Sequence, residues 1–256
     1  MSIHEPGGFL RKIALLRDEV PSFEQYPFSL QAVRELEELS FHPKVTYIVG
    51  ENGTGKSTLM EAIAVALGFN AEGGTINFSF QTEETHSDLH QYIKPVRGTK
   101  RPKDGFFFRA ESYYNLATNI DEMDREFAFG PPIITSYGGK SLHKQSHGES
   151  FFATFLHRFG GKGLYLLDEP EAALSPSRQM AFLARMHDLI RDDSQFIIAT
   201  HSPIMLAYPE SVIYELTPSG IRTTTWEETD HVAVTRQFLN HRERLLQQLL
   251  GDDEEE

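Results

Sequence analysis

One stretch constrains this chain more than any other: Val45-Thr46-Tyr47-Ile48-Val49 runs straight into Gly50-Glu51-Asn52-Gly53-Thr54-Gly55-Lys56-Ser57. The β-branched apolar run predicts a buried strand. Thr58 to Leu67 follows with apolar positions at Leu59, Ile63, Val65, Ala66 and Leu67, which predicts a helix capped by Gly68. Glycines between a strand and a helix let backbone N–H groups converge on phosphate oxygens. The positive end of the following helix adds to that attraction. Lys56 is placed to reach β- and γ-phosphates, and the Ser57 hydroxyl to ligate Mg²⁺. ATP with Mg²⁺, held by Gly50 through Thr58, is the expected ligand set.

Further apolar runs predict strands at 13–17, 75–80, from Phe106, at 164–167, 196–199 and 212–216. Helices are expected at 112–128, 149–159, 177–190 and 233–250. In the helix at 149–159, Phe151, Phe152, Phe155 and Leu156 share the predicted apolar face. Residues 28–40 fit either helix or strand. Apolar strands alternating with helices imply an α/β fold with a mostly parallel sheet covered on both faces. The 256 residues fit one large domain with an acidic tail at 251–256.

Two other strands end in polar residues that suit phosphate chemistry. Leu164-Tyr165-Leu166-Leu167 delivers Asp168 and Glu169 to the sheet's carboxyl edge. There Asp168 can hold Mg²⁺ and Glu169 can orient or deprotonate a water for in-line attack. Phe196-Ile197-Ile198-Ala199 leads to Thr200-His201-Ser202-Pro203, and His201 can hydrogen-bond the γ-phosphate or the attacking water. An acidic pair after a strand is by itself common in turns and helix caps, and a histidine at a strand end is more often structural.

These segments, in this order, resemble the ATP-binding-cassette (ABC) class of P-loop ATPases. The resemblance implies a central, mostly parallel sheet flanked by helices, an antiparallel β edge and a small helical lobe at about 112–150. It also predicts a further segment before the Asp168 strand, and Gln145-Ser146-His147-Gly148-Glu149-Ser150 stands there. In the class this segment caps the γ-phosphate bound by a second subunit, which implies an ATP-dependent homodimer with Ser146 and Gly148 facing the partner's nucleotide. The other reading of the segment is a helix cap. His147 departs from the class, standing where the first of two glycines is usual. Glu171 to Ser175 corresponds to a loop that crosses the dimer interface, with Ser175 where Asp is usual. A lid glutamine of the class corresponds to Glu111 or to Gln81. Tyr26 or Phe28 could stack on adenine, or either could pack in the core.

Within the class, Phe-Phe-Arg-Ala-Glu-Ser at 107–112, Ser-His-Gly-Glu-Ser at 146–150 and Asp-Glu-Pro-Glu-Ala-Ala-Leu-Ser at 168–175 resemble stand-alone bacterial ATPases, related to the heads of chromosome-maintenance proteins, more than transporter subunits. No heptads separate Ser57 from Ser146, so long coiled-coil arms are not expected.

The net charge of −13 argues against a general nucleic-acid coat. Arg97, Lys100, Arg101 and Lys103 form one basic cluster that could touch DNA or an acidic partner, but a solvated hairpin tip is the favoured reading. Leu245, Leu246, Leu249 and Leu250 form an apolar stripe that could bind a partner but more often packs on the domain itself. Cysteines are absent, which excludes disulfides and thiol chemistry, and the irregular spacing of His143, His147 and His201 does not suggest zinc. Neither a membrane span nor a secretory signal is evident, so the expected place is the cytoplasm. The expected activity is ATP hydrolysis that signals to an unidentified protein partner. Alternatives are the nucleotide-binding subunit of a transporter, or an ATP-dependent regulator of a nuclease or toxin.

Overall fold

Strands that are apolar at every position need cover on both faces, and the computed structural model supplies it. It describes residues 7–76, 87–126, 132–144 and 146–251. In chain order the elements are β1 (Leu10–Leu15), α1 (Gln31–Arg34), β2 (Glu38–Ser40), β3 (Val45–Gly50), α2 (Lys56–Leu67), β4 (Ile93–Arg97), β5 (Asp104–Arg109) and α3 (Tyr113–Glu126). There follow α4 (His147–Arg158), β6 (Gly163–Asp168), α5 (Pro176–Arg191), β7 (Gln195–Ala199), β8 (Ser211–Thr217), β9 (Gly220–Thr224), α6 (Asp230–Asn240) and α7 (Arg242–Leu250).

The main sheet has the order β5-β6-β7-β3-β8-β9. Its first five strands are parallel and β9 is an antiparallel edge. A second sheet, β2-β1-β4, is antiparallel. Alternate side chains of each central strand feed two cores. Tyr47, Phe106, Phe108, Tyr165, Leu167 and Phe196 face the helical lobe of α3, α4 and α5. Ile48, Phe107, Leu166, Ile197 and Leu216 face α2 and the small sheet. Burial on both sides removes the polar alternation of a half-exposed strand.

Several expectations need correction. The apolar face of α4 is Phe151 and Phe155, continued by Phe159 just past its end and flanked by the half-buried Phe152, while Leu156 is exposed. Phe155 stacks on Phe182 at 4.0 Å and Phe159 on Tyr165 at 4.3 Å. The interval of four residues keeps one side of a helix turned toward the same neighbours, so the lobe selects 151, 155 and 159 over 156, with Phe152 at the margin of the same core. The basic loop at 97–103 is not a hairpin tip, because β4 and β5 belong to different sheets. There Lys100 lies 3.5 Å from Asp193. Residues 233–250 are not one helix, since His241 leaves helical geometry (φ −132°, ψ 34°) between α6 and α7. The leucine stripe packs only in part: Leu245 and Leu246 are half-buried, whereas Leu249 and Leu250 are exposed. The expected strand at 75–80 lies mostly outside the described residues, and its start offers only a bridge from Gly74 to Phe107. Gln81 and the tail at 252–256 also lie outside them.

Candidate functional site

Register brings the polar strand ends into one row. Arg109 pairs with Asp168, Asp168 with Ala199, and Ala199 with Ile48. One residue past Ile48 and Val49 the chain enters the glycine loop, and two past Ala199 stands His201. The carboxyl edge of a parallel sheet is where ligands bind in open α/β folds.

The loop itself is shaped by glycine. Gly50, Gly53 and Gly55 have φ of 148°, 81° and 97°. A Cβ on Gly50 would sit 2.6 Å from the Leu216 carbonyl, so only glycine fits there. Thr54 closes the turn by donating its hydroxyl to the Glu51 carbonyl at 2.8 Å. Gly55 is the N-cap of α2, and no side chain among the described residues accepts from the first turn. Those N–H groups therefore keep the capacity to bind an anion. Lys56 is buried, and its Nζ donates to the Gly50 and Glu51 carbonyls at 2.8 and 2.9 Å. Burial lowers its pKa, while Glu169, Asp168 and Glu171 oppose that shift. A buried ammonium held by neutral carbonyls fits a phosphate ligand.

Asp168 is buried at the end of β6 and accepts from Ser57 Oγ at 3.3 Å. Burial pushes its carboxyl up to about 7, against the pull of Ser57 and Arg109. A hydroxyl and a carboxylate side by side, the latter costly to ionise without a counter-charge, suit a hard divalent cation such as Mg²⁺.

Glu169 follows with φ 51°, an uncommon left-handed conformation for a side-chain-bearing residue. Its Oε1 lies 3.5 Å from His201 Nε2. His201 is anchored through its backbone N–H, which donates to Glu171 Oε1 at 2.6 Å. Burial is the main cause of the lowered His201 pKa and the charge of Lys56 adds to it, so the imidazole is neutral at pH 7.

Ser146 is the N-cap of α4 and forms a reciprocal capping box with Glu149. Its N–H and Oγ both donate to Glu149 Oε2, at 3.1 and 2.8 Å. Gly148 is required by packing, because a Cβ there would lie 2.2 Å from the Ala173 carbonyl. Ser146 and Gly148 line a cleft of about 640 Å³ with Glu111 and Glu169. Glu111 is exposed and lies 3.2 Å from Arg109. Ser175 caps α5, accepting from the Arg178 N–H at 3.4 Å.

Of the two aromatic candidates for adenine, Phe28 is buried and packs edge-on against Tyr92, which removes it. Tyr26 is exposed, with its hydroxyl 3.2 Å from Thr58 Oγ1. Sequence reasoning missed Arg109, whose Nη1 lies 2.5 Å from Glu61 Oε2 beside Ser57. It also missed His231 of α6, whose Nε2 is 3.0 Å from His201 Nδ1.

The family described as "AAA domain" matches residues 23–126, around the glycine loop. The family described as "AAA domain, putative AbiEii toxin, Type IV TA system" matches residues 149–207, around Asp168 and His201. The chain carries a P-loop ATPase domain of the AAA/ABC type. It is 25% identical over 194 residues to the energy-coupling factor transporter ATP-binding protein EcfA2 of Staphylococcus aureus, covering 67% of this chain and 64% of that one. It is 23% identical over 175 residues to the ABC transporter G family member STR2 of Medicago truncatula, covering 62% and 24% respectively. The chain thus spans less than two thirds of either relative. An ATP-binding cassette of an ABC transporter, in its ADP conformation, superposes on the ATPase domain with a TM-score of 0.48 at 17% identity, covering 95% of this chain and 99% of the other. No helix among the described residues is long and apolar enough to cross a membrane.

Proposed function

We propose that this ATPase domain binds ATP with Mg²⁺ and hydrolyses it. The contact of Ser57 with Asp168, with Glu169 and His201 immediately beyond, carries the reading. Lys56 exchanges two carbonyls for the β- and γ-phosphates. The N–H groups of Gly50 to Thr58 hold the phosphate oxygens. Ser57 and Asp168 would hold Mg²⁺, which neutralises phosphate charge. Glu169 takes a proton from the attacking water, and His201 donates its N–H toward the γ-phosphate. Glu111 borders the same cleft as a lid residue.

The ATP-bound form is a homodimer in which Ser146 and Gly148 of each copy face the other's nucleotide, and hydrolysis reopens it. We place this cycle in the cytoplasm, as a signal to a protein partner. A transporter subunit is the second reading, favoured by the similarity to EcfA2. In the Glu169→Gln variant, steady-state phosphate release should fall by on the order of a hundredfold while ATP binding persists. Undiminished release would remove Glu169 from its role. Capture of a membrane permease by the ATP-bound variant would favour the second reading.

A further inference from the structure

The segment after β9 folds back onto the turn that carries His201. Trp226 Nε1 donates to the Pro203 carbonyl at 3.0 Å. Thr229, fully buried, donates its hydroxyl to the Trp226 carbonyl at 2.8 Å and starts α6. Val232, in the first turn, is buried as well. Between them His231 is directed at His201. The two imidazoles are 3.0 Å apart from Nδ1 to Nε2, with ring planes within 17° and centroids 5.0 Å apart. Those figures describe a bond running from ring edge to ring edge.

We propose that His231 is a positioning residue that fixes the tautomer of His201, donating its Nε2–H to His201 Nδ1 so that His201 carries its own proton on Nε2, facing Glu169. Burial, with Lys56 close by, holds both rings neutral, so each carries one N–H and their contact contains one proton. His201 Nε2 is buried, without a hydrogen-bond partner among the described residues, and 3.5 Å from Glu169 Oε1. A carboxylate accepts and does not donate. A lone pair on His201 Nε2 would face that negative charge, whereas an N–H there is attracted to it. The proton of His201 therefore sits on Nε2, Nδ1 is the acceptor, and His231 is the donor. An Nε2–H is also what a γ-phosphate oxygen needs. A ring free to hold its proton on Nδ1 would present a lone pair to phosphate instead.

This inference rests on the proposed roles of Glu169 and His201, and its test separates the two. Long-range ¹H–¹⁵N spectra of the full chain read imidazole tautomers without any turnover. The parent should show His201 as the Nε2–H form, and His231→Ala should show a mixture. In ATPase assays His231→Ala should lower kcat about tenfold with KM for ATP nearly unchanged. His231→Gln, which returns an N–H donor near the same point, should recover most of that loss. In a His201→Ala background, His231→Ala should cost nothing further. A parent His201 in the Nδ1–H form overturns the proposal even if ATP is hydrolysed. So does an equal loss in both backgrounds, or a Gln variant as poor as Ala in protein that melts like the parent. A parent without turnover but with the Nε2–H form removes the proposed function and leaves the tautomer assignment standing.

Discussion

Two helices begin near the candidate site, and they begin differently. The start of α2 has a glycine N-cap, no side-chain acceptor among the described residues, and a buried lysine as its first residue. The start of α4 has a serine N-cap whose donors are taken by Glu149, three residues on in its own chain. The first needs an anion from outside to complete its hydrogen bonds. The second already has one. Glu149 is held below the usual carboxylate range by its hydrogen bonds to Ser146, so it is ionised at pH 7. A γ-phosphate arriving from a second copy would have to displace or share the place of that carboxylate. The order of motifs along the chain makes the two helix starts look like partners, whereas their hydrogen bonding makes one of them open and the other closed.

Substitutions can break or sharpen this contrast. Lys56→Ala should have the largest effect, lowering turnover by on the order of a hundredfold or more, with nucleotide binding lost in calorimetry. Retained binding would mean that the α2 end holds phosphate by backbone alone. Next is Asp168→Asn. In the nucleotide-free protein Asp168 prefers its neutral form, with a pKa raised to about 7 by burial. Its contribution to stability is fully present below about pH 4 and is lost progressively as pH rises from there to about 7. The Asn variant should therefore melt higher than the parent at pH 8, by on the order of a few kcal/mol, with the gap narrowing as pH falls and closing only near pH 4. A constant gap would mean that the carboxyl does not titrate in that range.

The α4 end yields smaller effects. Ser146→Ala should cost about 1 kcal/mol in thermal stability if the hydroxyl is a cap. Unchanged melting combined with lost ATP-dependent dimerisation would assign it to the partner's phosphate instead. Finally, Glu149→Gln in the Glu169→Gln background should strengthen ATP-dependent dimerisation modestly, as read by sedimentation. Weakened dimerisation would show that Glu149 helps present Ser146 rather than competing with phosphate.

What could be read beforehand follows the same division between local and distant causes. The run from Val45 to Gly68 was legible because its signals are contiguous: a two-sided strand, a glycine loop and a left-handed C-cap at Gly68 (φ 98°). Asp168 was legible because an apolar run ends on it. His231 was not, since a histidine in the first turn of a helix carries no mark of a partner thirty residues away. Arg109 was hidden in the same way, its ion pair with Glu61 joining a strand end to a helix. Phe28 read equally well as core or as ligand contact, because aromatic character does not reveal burial. The β8–β9 hairpin could have been found from Pro218-Ser219-Gly220 followed by Ile-Arg-Thr-Thr. The break at His241 could not, because the apolar spacing of Leu245, Leu246, Leu249 and Leu250 continues a helical pattern and no Gly or Pro marks the interruption.

The row formed by Arg109, Asp168, Ala199 and Ile48 also limits how a lineage can edit this gene. Loops between strands, such as the crossing at 97–103 between two sheets, can gain or lose residues without disturbing that row. A single codon inserted within β6 would exchange the two faces of that strand, sending Tyr165 and Leu167 toward α2 and moving Asp168 off the edge. Insertions and deletions should therefore accumulate between the strands, leaving the distance from Gly163 to Asp168 unchanged.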